Sequence, residues 1–600
     1  MKNWSDAVHL QILNSRLLAL TSEFAENILR AAHSTFVKET WDIAALLMTS
    51  EGEIVSSPRE IGAKRLGMSL RKWLETKPSV KPGDIFISND PNTSYMATHL
   101  NDLFFWKPVF LDGEVACYAL GFVHVSDVGG AVPGSITPTS TDLFQEGVKI
   151  PPVKIVSEGV FNDSIREIII ANSRVPKQIW GDATALLGSL SIFESKLLDF
   201  ISAYSIDEFK VVTEKLLSIS EARARSIIRT IPNGTYRFDD YIDGLVQGDP
   251  IKLSLDVVVE DEEVTLDFGR FPPEVAAAYN VYSHSQTGDW GLTRAFMDFF
   301  QTTDPAIAWN SGLVRPVKVK APKGSIVNPK PNAACGARVA TFFRVYYMIF
   351  GALGRALQGI LPSSGPGSTG VMLIATADPI TGDNAINVGQ ALFGGCGARP
   401  GSDGYDSNEM VSWYLRNIPV ELLEHELSVL FREYAYAVDT GGAGRHRGGH
   451  GTKVAVEFLS DATVTIRGLQ RFQFRAWGVE GGEAGALGQV IVNEGTNREV
   501  RLDAVSVLKF APGDTLSVVS PGGGGLGDPF ARPADKVLGE FENGLVSAQK
   551  AAESYGVVIV DGRVDPAATQ RLRSSAVRPK AEHFDFGEER RRYEARGEGA

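Results

Sequence analysis

The amino-acid sequence predicts a multi-domain α+β protein, in which mixed sheets pack with long helices and a β-rich unit lies towards the C-terminus. The chain has 600 residues, which is more than one hydrophobic core normally holds. Apolar residues recur at helical spacing over residues 10–33 and 164–231, whereas residues 236–320 and 454–519 have the short alternating pattern of strands. Long helical segments and separate groups of strands together indicate the α+β class.

Composition and charge exclude several classes of protein. The chain is 44% hydrophobic and 22% charged, as in an ordinary globular protein, and its net charge of -13 disfavours a nucleic-acid partner. Its three cysteines, Cys117, Cys335 and Cys396, form no CxxC motif, so neither a disulfide framework nor a thiolate zinc site is expected. The polar N-terminus and the absence of any long apolar run predict a cytoplasmic protein with no membrane segment.

The N-terminal region is predicted to begin with a long amphipathic helix over residues 10–33. Residues 34–55 then have the pattern of two strands around a Ser-Glu-Gly turn. Asp42 lies at the start of the first of these strands, among apolar residues. A carboxylate in such a strand either caps the turn or faces a charge, and a metal ion is one candidate for that charge.

Two His-x-x-Asp units, His99/Asp102 and His124/Asp127, flank the next pair of predicted strands. The strands meet at a Leu-Asp-Gly turn at residues 111–113, so a hairpin could bring both units together. Imidazole nitrogen and carboxylate oxygen suit divalent zinc, manganese or iron, whereas calcium or magnesium would require nearly all oxygen ligands. Two histidines and one or two aspartates would leave a coordination position free, as catalytic sites do. The alternative is that both histidines end strands and bond to local carboxylates.

A loop rich in Thr, Ser and Pro over residues 133–152 follows the second unit. A long loop beside a candidate site is often a lid or a substrate wall, although a solvated connector is the alternative. Glu146, in the Gln-Glu-Gly triplet of this loop, is a secondary candidate for a metal ligand or a general base.

The remaining chain is predicted to alternate between helical and strand-rich units. A helical layer over residues 164–231, broken at Val175-Pro176, precedes strands with an embedded helix near residues 291–300. Further helices are predicted over residues 337–360 and 421–434, and the charged tail is either frayed or laid against a partner. The predicted units are an N-terminal metal-site domain (1–232), a β-rich middle domain (233–335), an α/β domain with Gly-rich loops (336–455), a β-rich C-terminal unit (456–570) and the tail (571–600).

Two glycine-rich segments invite ligand-binding interpretations. Arg445 and Arg447 lie on the loop 441–451, where backbone NH groups and the two cations can hold an anion. The alternative is a loop whose glycines serve an unusual backbone conformation and whose cations face solvent. Residues 520–529 formally contain G-x-G-x-x-G, yet Asp-Pro follows instead of a helix, so close backbone packing is expected there. No GxxxxGK[ST] motif occurs, so a nucleotide would be bound by another subunit.

Taken together, these motifs resemble the hydantoinase B/oxoprolinase family across nearly the whole chain. The resemblance is carried by KETWD, THLND, HVSDVGG, GGAGRHRGG and SPGGGGLGDP. It implies a subunit that works with a hydantoinase A-like, ATP-binding partner in a hetero-oligomer, expected to be a heterotetramer. The metal-site residues carried over from the motifs are Asp42, His99, Asp102, His124 and Asp127.

The function implied by the resemblance is ATP-dependent hydrolysis of a small cyclic amide, of the EC 3.5.2 type. The partner would phosphorylate the carbonyl oxygen, and a metal here would lower the pKa of a bound water toward about 7. Asp127 or Glu146 would accept the proton, and Arg445 or Arg447 would hold a phosphate or carboxylate. The first alternative is a subunit of an ATP-dependent ketone carboxylase of the acetone or acetophenone type, which would use bicarbonate or CO2. A non-catalytic scaffold is the other alternative.

One departure from the family pattern concerns the residues before His99. The family usually has a Gly-Gly pair directly before Thr-His, where this chain has Tyr95-Met96-Ala97. The family also often has Pro-Asp where this chain has Asn101-Asp102. Larger side chains beside the metal predict a reshaped pocket and a substrate outside the common hydantoin or oxoproline range.

Overall fold

The computed structural model describes residues 6–93, 96–244, 250–285, 288–377, 381–412, 414–504, 507–575 and 582–597. The α-helices are Ala7–Ala31 (α1), Thr35–Thr40 (α2), Arg71–Glu75 (α3), Asp163–Ala171 (α4), Pro176–Ile201 (α5), Ile206–Ile228 (α6), Trp290–Thr303 (α7), Val339–Leu353 (α8), Val420–Glu426 (α9), Ala534–Glu542 (α10), Ala548–Tyr555 (α11), Pro566–Ser575 (α12) and Gly587–Ala595 (α13). Within these described ranges, no helix is both long enough and apolar enough to cross a membrane.

The strands complete a mixed α+β architecture, as the sequence predicts. They are Ile43–Thr49 (β1), Ile54–Ser56 (β2), Ile85–Ser88 (β3), Asp102–Leu111 (β4), Glu114–His124 (β5), Val153–Ser157 (β6), Val160–Phe161 (β7), Gly234–Ile242 (β8), Ile251–Glu260 (β9), Glu263–Asp267 (β10), Val317–Lys320 (β11), Thr369–Ala377 (β12), Asn384–Phe393 (β13), Val429–Tyr436 (β14), Thr452–Phe458 (β15), Ala462–Arg467 (β16), Gly478–Val479 (β17), Gln489–Val492 (β18), Val500–Leu502 (β19), Val507–Phe510 (β20), Thr515–Val519 (β21), Ile559–Val560 (β22), Arg563–Val564 (β23) and Phe584–Asp585 (β24).

The N-terminal sheet has seven strands in the order β2-β1-β5-β4-β3-β6-β7 and is buried on both faces. Ile43, Ala45 and Leu47 of β1 pack with apolar residues of α1 and α5, whereas the alternate residues Ala44 and Leu46 join the central core. Because side chains alternate between the faces of a strand, a strand covered on both faces is apolar throughout. This double covering explains the continuous apolar run of β1.

Strands β4 and β5 form the hairpin that the sequence predicts around residues 111–113. The pairing is antiparallel, and its register places Asp102 directly opposite His124. Trp106 faces Leu120 further along the same pair. The hairpin therefore holds both His-x-x-Asp units at one end of the sheet.

Three sheets of four or five strands, each antiparallel except for the parallel β10–β11 pair, form most of the remaining scaffold, and β17–β24 and β22–β23 are two-stranded sheets. The orders of the three sheets are β11-β10-β9-β8, β13-β12-β16-β20 and β14-β15-β21-β18-β19. The largest hydrophobic core contains residues from all five predicted units, from Ala44 through Leu255, Phe343 and Trp477 to Phe584. This shared core does not separate along the predicted domain boundaries. Those boundaries stay predictions.

Two segments differ from the predicted secondary structure. Residues 35–40 form the short helix α2 where a strand was expected, because Ser34 caps its N-terminus and Trp41, at φ 62°, ends it. The helix predicted over residues 421–434 ends at Glu426, and residues 429–436 form β14. Pairing with β15 supplies the backbone hydrogen bonds that decide this second difference.

The charged tail packs against its own chain, so it is not frayed within the described residues, and its contact with a partner stays a prediction. Strand β24 pairs with β17, and the ring of Phe584 packs on Trp477 with centroids 5.2 Å apart. Phe584 also contacts Phe238 of β8. An aromatic anchor therefore holds the last elements against the core.

The glycine-rich segments pack backbone against backbone, as expected for residues 520–529. A Cβ atom on Gly448 would lie 2.0 Å from the carbonyl oxygen of Gly523, and one on Gly524 would lie 2.0 Å from that of Trp477. Distances this short exclude any side chain. The glycines therefore serve close chain approach, and their own neighbours fill the space that a dinucleotide would need.

Candidate metal centre

Three neighbouring strands bring the candidate ligands to one edge of the N-terminal sheet. Strand β5 is antiparallel to both β1 and β4, so its last residue, His124, lies beside the first residues of those two strands. Asp102 begins β4, and Asp42 directly precedes β1, where its carbonyl oxygen accepts the His124 backbone N–H at 3.0 Å. His99 lies in the turn before β4, three residues from Asp102.

The side chains of His99, Asp102 and His124 converge. One potential ligand atom from each lies within 4.8 Å of the others. The two imidazole rings have centroids 5.0 Å apart, and His99 Nε2 lies 3.1 Å from Asp102 Oδ1. All three residues are buried. The structure therefore brings together the central part of the predicted ligand set.

The electrostatics of this triad fit a divalent transition metal. Burial lowers the pKa of His99 to about 3 and that of His124 well below its usual value, so both rings are neutral near pH 7. Burial alone would raise the pKa of Asp102, but neighbouring His99 and Arg65 hold that pKa well below its usual value. Neutral imidazoles and an ionised carboxylate are the forms that bind zinc, manganese or iron.

Unpartnered atoms strengthen this fit. The Nδ1 atoms of His99 and His124 are buried and have no hydrogen-bond partner among the described residues. A buried polar atom without a partner is costly, which makes an additional ligand at this position favourable. The residues present therefore suit a bound cation.

Asp42 lies in the same cavity but outside the close triad. Its side chain lines the cavity, and its Oδ1 atom is buried without a hydrogen-bond partner in the described part of the chain. Burial and the charge of Asp102 raise the pKa of Asp42 to about 6. This carboxylate is thus available to a metal or to a proton.

The cavity itself is small and largely apolar. Its volume is about 90 Å³, and its walls include Ile136, Phe342, Val371 and Tyr414. Ile136 belongs to the predicted loop 133–152, in agreement with a wall formed by that loop. Binding sites for drug-sized ligands are larger, roughly 300–1,000 Å³. In this conformation the cavity holds only a small group.

Three arginines that sequence reasoning missed also line the cavity: Arg65, Arg338 and Arg467. Arg65 donates to Asp102 Oδ2 at 3.3 Å and is stacked between the rings of Phe122 and Trp290. Arg338 directly precedes α8, whose interior is otherwise mostly apolar. In the sequence, an arginine directly before such an apolar helix was the signal that could have identified Arg338 as a site residue.

Asp127 faces away from the cavity, and its predicted catalytic role is not supported. Its carboxylate accepts the backbone N–H groups of Gly129 and Gly134 at 3.0 and 2.9 Å. The Arg174 guanidinium donates to the same carboxylate at 2.9 Å. Because the chain turns directly after β5, the second unit contributes its histidine to the site while its aspartate stabilises the loop.

Glu146 lies behind the cavity wall rather than in it. Its Oε1 atom accepts the N–H groups of Cys335 and Gly336 at 2.8 and 2.7 Å. Burial raises the pKa of Glu146 to about 7. Since Gly336 separates this carboxylate from the cavity, Glu146 positions the segment that carries Arg338, and a direct role as ligand or base is not supported.

Arg445 and Arg447 do not line this cavity. The Arg447 guanidinium is buried and donates to Asp406 and Glu540, each at 2.7 Å. These carboxylates neutralise it, so the predicted anion-binding role of Arg447 is wrong. Arg445 is exposed, as the alternative for this loop predicted.

The residues before His99 are only partly described. Met96 and Ala97 are buried in the central core and do not line the cavity, so the reshaped pocket stays a prediction. Tyr95 lies outside the described residues.

Known structures share this architecture. The chain superposes on the ATP-dependent caprolactamase from Pseudomonas jessenii with a TM-score of 0.84 at 25% identity, covering 96% of this chain and all of that one. A nucleotide-free acetone carboxylase chain has the same fold, with a TM-score of 0.83 at 19% identity over 95% of this chain and 83% of that one. The chain therefore has the same fold as these two proteins.

The sequence comparisons are more specific. The beta subunit of the caprolactamase from Pseudomonas jessenii is 29% identical over 83% of this chain and 86% of its own length. The B component of a putative D-/L-hydantoinase from Pseudomonas sp. strain NS671 is 26% identical over 95% and 98%, respectively. The family model for hydantoinase B/oxoprolinase matches residues 6–529. The chain belongs to the hydantoinase B/oxoprolinase family.

Proposed function

We propose that this chain is the metal-containing subunit of a two-component, ATP-dependent enzyme that opens a cyclic amide of the lactam, hydantoin or oxoproline type. The observation that carries the proposal is the convergence of His99, Asp102 and His124 in one buried cavity. Relatives named as caprolactamase and hydantoinase subunits support the choice of substrate class. A hydantoinase A-like partner would bind ATP, and the pair would form a heterotetramer.

The cavity residues have distinct proposed roles. His99, Asp102 and His124 would hold a divalent zinc, manganese or iron ion, which when bound supplies Lewis-acid activation of water and of the substrate carbonyl. Asp42 offers a further carboxylate oxygen, either as a fourth ligand or as the acceptor of the attacking water's proton. The apolar walls limit access of bulk water to the reacting group.

The chemistry follows from the weakness of an amide as an electrophile. Phosphorylation of the carbonyl oxygen by the partner removes much of the amide resonance. Water then bonds to the activated carbon, the C–N bond breaks, and the nitrogen leaves with a proton as an amine. A second water converts the resulting acyl phosphate to carboxylate and inorganic phosphate.

A metal and turnover assay tests the proposal. The chain is co-purified with the ATP-binding partner and analysed for bound metal, and ATP hydrolysis is measured with a panel of lactams and hydantoins. We expect close to one equivalent of zinc, manganese or iron and lactam- or hydantoin-stimulated release of ring-opened product. Less than about a tenth of an equivalent of metal would instead favour a non-catalytic scaffold.

A ketone carboxylase subunit is the second candidate, favoured by the fold shared with acetone carboxylase. In that case the cavity would hold an enolate and bicarbonate-derived CO2 instead of water. The same assay with ketones plus bicarbonate distinguishes the two. Bicarbonate-dependent turnover of ketones would replace the amidohydrolase proposal.

A further inference from the structure

Arg65, Arg338 and Arg467 face the cavity that contains the candidate metal ligands, although they come from distant parts of the chain. Arg65 precedes α3, Arg338 precedes α8, and Arg467 ends β16. All three are buried, with exposed fractions of 3%, 6% and 8%, respectively. A buried guanidinium is stable only when an anion compensates its charge.

The protein's own carboxylates compensate these charges only in part. Asp102 Oδ2 is shared between Arg65 at 3.3 Å and Arg338 at 3.8 Å. For Arg467, no carboxylate oxygen lies within 4.0 Å in the described part of the chain, and its buried Nη1 atom has no hydrogen-bond partner there. Arg467 therefore presents donors that nothing in the described chain accepts.

Further donors lie on the other two arginines. Nε and Nη1 of Arg65 and Nε of Arg338 are also buried without hydrogen-bond partners among the described residues. Guanidinium groups present planar sets of N–H donors that match the oxygens of carboxylate and phosphate. The arrangement of donors thus suits an oxyanion better than a neutral ligand.

The potential in the cavity also favours an anion. Burial lowers the pKa of Arg467 to about 10, and the positive charge of the neighbouring Arg338 adds to this effect, whereas Asp42 and Asp102 partly oppose it. In addition, residues 336–339 at the N-terminus of the 15-residue helix α8 line the cavity. The N-terminus of a helix carries partial positive charge and attracts anions.

We infer that Arg65, Arg338 and Arg467 form an oxyanion site beside the candidate metal centre, which binds a phosphoryl or carboxylate group of the substrate. Arg467 is its principal free donor and orients that group. The assignment of the anion to a substrate group rests on the proposed function. The anion site itself requires no metal.

Calorimetric titration of the full chain with inorganic phosphate tests this inference, in the presence of a chelator and again with Mn²⁺. We expect phosphate to bind without metal, and Arg467→Met to weaken binding by about tenfold or more, the usual effect of losing a charged hydrogen-bond donor. Arg501→Met is the matched control, because Arg501 lies on the exposed edge strand β19 and should leave binding unchanged. Equal phosphate affinity in Arg467→Met and wild type would overturn the inference.

Further titrations identify the source of the oxyanion. The titrations are repeated with acetate and with bicarbonate in place of phosphate. Tighter binding of one of the three anions that is lost in Arg467→Met supports the site and identifies the group that it binds. Failure of all three to bind the wild-type chain overturns it. If Arg467→Met does not fold, Arg467→Lys takes its place, since lysine keeps the charge but loses the planar fork, and undiminished binding by that variant would count against the inference.

Metal analysis of the same samples separates this inference from the proposed function. Arg467-dependent anion binding in a chain that takes up no metal would refute the proposed function and leave the oxyanion site standing. Bound metal together with Arg467-independent phosphate binding would refute the oxyanion site alone.

Discussion

Replacement of Asp102 by asparagine should separate the two roles of this carboxylate. Asp102 accepts from Arg65 and Thr98, both at 3.3 Å, and lies 3.1 Å from His99 Nε2. Asparagine keeps the size of the side chain but removes its negative charge. The substitution therefore removes one proposed metal ligand and the anion beside a buried arginine at once.

The expected loss of stability follows from the burial of the ion pair. The Arg65 and Asp102 side chains are 3% and 1% exposed, and Asp102 is the one ion-pair partner of Arg65 within 4.0 Å among the described residues. Breaking such a buried pair from one side costs about 3–5 kcal/mol, because the remaining charge is left uncompensated. Asp102→Asn should lower the free energy of unfolding of the metal-free chain by about this amount.

Urea unfolding in chelator and metal analysis after dialysis measure the two effects. We expect Asp102→Asn to retain less than about a tenth of an equivalent of metal. Asp127→Asn is the matched control, since Asp127 is equally buried and also pairs with an arginine but lies outside the cavity. It should lose stability and keep its metal. Wild-type metal content in Asp102→Asn, or a stability change under about 1 kcal/mol, would refute the reasoning.

Three further predictions concern the rest of the chain. Arg447→Gln should lower the free energy of unfolding by about 3 kcal/mol in urea titrations, because it leaves Asp406 without its ion-pair partner and leaves Glu540 paired with Arg532 alone, yet phosphate affinity measured by calorimetry should not change. Burial raises the pKa of Glu409 from 4.5 to about 7, so the folded state binds its proton more tightly than the unfolded state does. The bound proton therefore stabilises the fold fully below about pH 4.5, and this stabilisation is lost as the pH rises through about 7. The free energy of unfolding of the wild type should fall by about 3 kcal/mol over this window because of Glu409, and Glu409→Gln should not show that part of the fall. Phe584→Ala should cost about 3 kcal/mol in the same urea titrations, because the tail loses its aromatic anchor, and an unchanged midpoint would show that the tail does not stabilise the core.

Much of the local structure could be predicted from the sequence because its causes are local. The hairpin around residues 111–113 follows from two apolar runs and a turn, and α1, α5 and α6 follow from helical spacing. The β14 segment could not be predicted in this way, since pairing with β15 decided it. The short helix α2 was missed although Ser34 is a good N-terminal cap, because the segment is too short for a clear periodicity.

The candidate site likewise has residues that could be predicted from the sequence and a residue that was predicted wrongly. Spacing along one hairpin was enough to bring His99, Asp102 and His124 together, because antiparallel register is a property of neighbouring strands. The same spacing suggested Asp127, yet a turn after β5 directs that side chain to Arg174. A motif fixes which residues are near in the chain, but not which way each side chain points once the strand has ended.

The sequence alone thus determined the fold class, the family and the histidine and aspartate residues at the strand ends. Only the tertiary structure decided what surrounds them. Arg65, Arg338 and Arg467 are more than a hundred residues apart along the chain and meet only because separate elements pack around one cavity. Contacts within a hairpin are encoded by nearby residues, whereas a charge cluster drawn from distant elements depends on the packing of the whole molecule.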